Sequence, residues 1–122
     1  MIQSYKDLDV YKRSLKLAMD ICWMPGKFPK EEIYALTNQL IRSSRSVSAN
    51  IVEGWANRQY ENVFRQRLIR ALGSISETES WLIFAKECKY TGQKVLDQFA
   101  DKLDQPGRMI NMLHQNWKSY GK

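Results

Sequence analysis

Residues 57–89 read NRQYENVFRQRLIRALGSISETESWLIFAKECK, without a single proline. Tyr60, Phe64, Leu68, Ala71, Leu72, Ile75, Trp81 and Leu82 recur along this stretch at helical rather than strand spacing. Asn57 is a suitable N-cap for a helix that ends near Lys89. Such a helix is about 50 Å long at 1.5 Å per residue.

The flanking sequence repeats the pattern. Upstream, a helix is expected from about Lys30, with Pro29 tolerated at its first turn and Glu31 and Glu32 favouring that end of the dipole. Its stripe is Ile33, Leu36, Leu40, Val47 and Ile51, and Gly54 is placed to cap its C-terminus. Before Pro25-Gly26, residues 7–23 present Leu8, Tyr11, Leu15, Ala18, Met19 and Cys22 as another stripe. Downstream, Tyr90-Thr91-Gly92 turns the chain into a fourth segment, from about Gln93 to Tyr120, carrying Val95, Phe99, Leu103, Ile110, Leu113 and Trp117. Pro106-Gly107 is expected to kink or briefly break it, because proline lacks a backbone donor and clashes one turn back. Four amphipathic helices on short turns pack antiparallel. The fold expected is therefore all-α, an antiparallel up-down-up-down four-helix bundle, with residues 1–122 as one domain.

The chain carries a net charge of +6. Residues 1–41 hold six basic and five acidic groups, and residues 71–122 hold seven and six. Residues 42–70 hold Arg42, Arg45, Arg58, Arg65, Arg67 and Arg70 against only Glu53 and Glu61. All the cations there are arginine, which contacts phosphate with two parallel hydrogen bonds and stacks on bases. On a helical wheel these side chains do not form one line. An extended positive surface is expected to arise from several copies of the chain, and such a surface attracts phosphate backbones without reading sequence.

A second apolar set suggests how copies meet. Tyr34, Ile41, Ser48, Val52 and Trp55 group away from the core stripe of the second helix. Ile69, Gly73, Ser76, Ser80 and Phe84 group almost opposite the core of the third, apolar at the ends and small in the middle. Apolar surface of this kind marks an interface. Tyr34, Ile41, Val52, Trp55, Ile69, Gly73 and Phe84 are the interface residues expected of a homo-oligomer.

Catalytic patterns are missing from the sequence. It has no glycine-rich phosphate loop, no His-Glu-x-x-His and no Gly-x-Ser-x-Gly. Glu77 and Glu79 are two apart and point to different faces, and no histidine accompanies Ser43, Ser44, Ser46 and Ser48. His114 is the sole histidine, and Cys22 and Cys88 are too few for a metal cage or disulfide framework. They read as reduced thiols acting as small apolar fillers. No enzyme activity, cofactor or metal is expected. With no membrane-spanning run and no signal-peptide plan at the N-terminus, the expected location is cytoplasmic.

Several stretches together carry a family resemblance. They are Leu8-Asp9-Val10-Tyr11, Phe28-Pro29, the run from Glu32 to Leu40, Ser44, the run from Val47 to Gly54, and the run from Ala71 to Glu79. Over about residues 5–92 the chain closely resembles the bacterial 23S ribosomal RNA intervening-sequence proteins. The resemblance implies a basic four-helix bundle that assembles as a ring, commonly a pentamer. It also implies kinship with the accessory proteins of diversity-generating retroelements, which bind a reverse transcriptase and its RNA. RNA and a reverse transcriptase are thus the partners it suggests, and it supplies no catalytic residues. Asn50 and Glu53, inside the matched motif, are expected to close the second helix by hydrogen bonding or to serve a partner helix, with ligand contact as the alternative.

Overall fold

The computed structural model describes residues 2–117. Its helices are α1 (Asp9–Trp23), α2 (Leu36–Ala56), α3 (Glu61–Glu87) and α4 (Gln93–Asn116), with short 3-10 turns at Tyr5–Asp7, Met24–Lys27 and Lys30–Glu32. Among the described residues there is no strand. Sequential helices are neighbours, and α4 closes the square against α1. The links Arg42–Glu77, Ser46–Ser74 and Glu53–Arg67 run in opposite order along α2 and α3, so this pair is antiparallel. The expected up-down-up-down bundle is present.

The core has two apolar centres. One joins Leu8, Val10, Val47, Ile51, Phe64, Leu68, Ala71 and Ile110. The other joins Leu17, Ile21, Leu36, Leu40, Leu82, Ala85, Phe99 and Leu103. Ser14, Ser43, Ser44, Ser74 and Thr78 are buried as well. Their hydroxyls are satisfied locally. Ser14 donates to the Val10 carbonyl at 2.7 Å, and Thr78 lies 2.8 Å from both Ser43 Oγ and the Ser74 carbonyl. Small side chains let α2 and α3 approach closely, and the pairing avoids the cost of unmatched buried polar groups.

Several sequence expectations need correction. On α1 the buried face is Val10, Ser14, Leu17, Ala18 and Ile21, while Leu15 and Met19 face outward. Apolar residues surround this helix on most sides, so spacing alone could not choose the stripe. Ile33 and Tyr60 are exposed because both precede their helices. The α2 helix begins at Leu36, not Lys30, and there Glu32 accepts the Leu36 backbone N–H at 3.3 Å. The same carboxylate accepts the Tyr90 hydroxyl at 2.8 Å, which pushes that phenol up to about 12 and ties the start of α2 to the α3–α4 turn. Asn57 does not open α3. It ends α2, donating its side-chain amide to the Glu53 carbonyl at 2.9 Å. Cys22 is half-buried and Cys88 exposed, so only the first is a filler.

At Pro106-Gly107 the helix is unbroken, since α4 runs through both residues and buries the proline ring. Loss of one ladder bond is tolerated where the ring fills core space. The expected extension to Tyr120 lies outside the described residues.

Gly54 is not a cap either. It is buried within α2, where a Cβ would sit 3.0 Å from Phe64 Cδ1 and 3.1 Å from Arg67 Cβ. In an exposed helix, Gly→Ala stabilises by about 1 kcal/mol. Here overpacking should reverse the sign. Gly54→Ala is expected to destabilise by about 1–3 kcal/mol, read as a lower midpoint in chemical unfolding.

Candidate nucleic-acid interface

The six arginines of residues 42–70 fall into three pairs. Arg58 and Arg65 belong to one end of the bundle. The Arg58 guanidinium lies 4.4 Å above the Trp55 ring and donates to the Trp55 carbonyl at 2.8 Å. Arg65 donates to the Trp117 carbonyl at 2.6 Å and pairs with Glu61 at 3.6 Å. Trp117 packs edge-on against Phe64 at 4.7 Å and Trp55 at 5.9 Å, and its indole N–H reaches the Arg58 carbonyl at 3.3 Å. These two arginines stack on and tie down an aromatic knot.

Arg42 and Arg67 bridge the α2–α3 seam. Arg42 reaches Glu77 across it and Gln39 on its own helix at 2.9 Å. Arg67 pairs with Glu53 at 2.8 Å and contacts Asn50 Oδ1 at 3.5 Å. Asn50 also donates to the Ser46 carbonyl at 2.8 Å. Asn50 and Glu53 therefore serve the partner helix. All four charged groups remain in contact with water, which holds such pairs to about 0–1 kcal/mol each.

Arg45 and Arg70 make the third pair. Arg45 is three residues from Arg42 on α2, and Arg70 three from Arg67 on α3, so each is a surface neighbour of a bridging arginine. Both are exposed, and among the described residues no hydrogen bond or ion pair holds either side chain. Two bridged arginine–glutamate pairs thus have two exposed guanidiniums as neighbours, neither in contact with a carboxylate among the described residues.

The expected interface residues divide similarly. Tyr34 is 92% exposed, just before α2. Ile69 and Phe84 are about half exposed, at 51% and 53%, and Gly73 between them has open space around its Cα. These form an outer face on α3 beside the arginine seam. Ile41 and Val52 are half-buried, and Trp55 packs against the core within the chain. Sequence spacing did not bring out Lys12, Arg13, Lys16 and Lys102, which converge between α1 and α4. No His, Cys, Asp and Glu group that could hold a metal occurs among the described residues. Nor is any described helix long and apolar enough to cross a membrane.

Among curated proteins, none matches this chain. A solved structure from Bacteroides thetaiotaomicron, a protein of unknown function from the S23 ribosomal protein family, is similar in fold. It has a TM-score of 0.77 at 22% identity, and the match covers 88% of this chain and 99% of that one. The family model for 23S rRNA-intervening sequence proteins matches residues 6–112. The chain, a four-helix bundle over that whole span, belongs to the 23S rRNA-intervening sequence protein family.

Proposed function

We propose that this protein is a non-enzymatic, oligomeric bundle that associates with structured RNA through the arginine seam of α2 and α3. The supporting observation is the pair Arg45 and Arg70, exposed beside the bridging arginines of α2 and α3 and without acidic partners among the described residues. Arg42 and Arg67 sit beside them, each sharing its charge with one glutamate. A phosphate backbone can displace such weak surface pairs, because its own counterion release favours binding. The ribosomal RNA in the family's name is consistent with this class of partner. Retention of a structured RNA at low ionic strength, lost as salt rises, is the expected result. No salt-sensitive retention would overturn the reading.

Assembly is assigned to the α3 face of Ile69, Gly73 and Phe84, and a pentamer is the copy number the family resemblance suggests. Gly73 has open space where a Cβ would stand, so within one chain Gly73→Trp should leave the fold intact. In the assembly it would hold the facing helix away. The variant is expected to elute as monomer while keeping the wild-type helical circular dichroism. A wild type already monomeric by light scattering at micromolar concentration would contradict the oligomer.

Exposed Ile69, Ile83 and Phe84 beside a basic seam also favour a second reading, an adaptor for an acidic protein such as a reverse transcriptase. Binding of RNA by the protein alone separates the two.

A further inference from the structure

A second group of cations, away from the arginine seam, lies between α1 and α4. Lys12, Arg13, Lys16, Leu17, Lys102, Gln105 and Pro106 line a cleft of about 190 Å³ there. Asp20 is the carboxylate beside it, 2.7 Å from Lys16 and 2.9 Å from Lys102. Burial pushes the Asp20 carboxyl up, but the hydrogen bond from Lys16 and the ion pair with Lys102 outweigh this and hold it below the ordinary carboxylate range. It stays anionic and fixes both ammonium groups at the cleft. Arg13 donates to the neutral Gln105 carbonyl, and Lys12 feels Asp7 at longer range without forming an ion pair. Four cations therefore face one contacting carboxylate.

The opposite side of α4 has the reverse character. Glu79, Asp101 and Asp104 line the α3–α4 cleft, where Arg108 pairs with Asp104 at 2.8 Å. A polyanion is drawn to the α1 side of α4 and repelled from the α3 side.

An exposed aromatic ring stands farther along α1, about 10 Å beyond Lys16. Lys12, Lys16, Met19 and Trp23 are spaced four, three and four residues apart, which puts them on one stripe of α1. The stripe spans about 16 Å at 1.5 Å per residue. Trp23 is 77% exposed, whereas Trp55, Trp81 and Trp117 are each partly buried. An indole left this far in water costs hydrophobic free energy that burial would recover. Lysines for phosphates and an aromatic face for a base are the two elements of single-strand recognition. A duplex keeps its bases stacked inside and can use only the first.

We infer that the α1–α4 cleft and the adjoining α1 stripe bind a single-stranded segment of nucleic acid. Lys12, Arg13, Lys16 and Lys102 contact its phosphates, and a base stacks on Trp23. This rests on the nucleic-acid reading above but assigns a second surface and a strand type to it.

The test uses the full chain, a labelled ten-nucleotide oligouridylate and an RNA duplex of the same length. Trp23→Ala is expected to weaken single-strand binding about tenfold, with Trp23→Phe retaining most affinity and the duplex nearly unaffected. Lys12→Ala/Arg13→Ala removes two exposed cations and should lower the single-strand salt slope by about 1.4. Unchanged circular dichroism and thermal midpoint identify a folded variant. Wild-type binding by both variants would overturn the inference. Equal loss on duplex and single strand in Trp23→Ala would overturn the stacking role. If Arg45→Ala/Arg70→Ala alone abolished oligouridylate binding, the seam would stand and the cleft would fall. If wild type bound no RNA at all, both would fall.

Discussion

Phe64→Ala is expected to lower unfolding stability by about 3–5 kcal/mol. Phe64 is 1% exposed and joins three parts of the structure. It packs in the core centre with Leu8, Val10, Val47, Ile51, Leu68, Ala71 and Ile110. Its ring meets Gly54 of α2 so closely that a Cβ there would lie 3.0 Å from Cδ1. Its other side holds Trp117 edge-on at 4.7 Å. Truncation removes buried apolar area, leaves a cavity and strips the indole of a partner. For a chain of this size the thermal midpoint should fall by roughly 10–20 °C. Phe64→Leu, which keeps most of the volume, should cost less than half as much. A midpoint within about 3 °C of wild type for the alanine variant would contradict the described packing.

Arg45→Ala/Arg70→Ala is expected to weaken RNA binding at least tenfold at low salt, because both side chains are free to meet phosphate. Stability should be nearly unchanged, since neither residue is paired within the described chain. Arg58→Ala/Arg65→Ala should behave differently. It loosens the knot around Trp55 and Trp117 and so lowers stability, while affecting RNA less. The contrast matters because all four residues are arginines from one stretch of sequence. If charge alone governed binding, the two double variants would weaken RNA equally. If position on the seam governs it, only the first pair will matter strongly.

The four helices were legible because each carries an apolar stripe bounded by turn residues. The α1 stripe is ambiguous in sequence, because Leu15 and Met19 make a second apolar line as regular as Val10, Leu17 and Ile21. Periodicity identifies the buried face only when the opposite face is polar. Gly54 reads as a helix stop in sequence, yet its real constraint is the proximity of Phe64 on α3, a feature of the tertiary structure. The arginine cluster was visible as composition. Its division into knot, bridged pairs and free pair depends on distances across helices and could not be read from spacing. The α1–α4 cleft was hidden for a different reason. Lys12 and Lys102 lie in segments whose net charge is near zero, because acids on other faces, such as Asp101 and Asp104 for Lys102, offset them in the count. Charge counted along a segment averages over faces that solvent and ligands meet separately.

The most direct test of the arginine seam is the affinity for one structured RNA between 50 and 200 mM salt, measured for wild type and for Arg45→Ala/Arg70→Ala. Each duplex phosphate contact contributes about 0.9 to the slope of log affinity against log salt. Removal of the two free arginines should make the slope shallower by about 1.8 per binding chain, with the folded state intact. Identical slopes and affinities in the two proteins would contradict nucleic-acid binding through the α2–α3 seam.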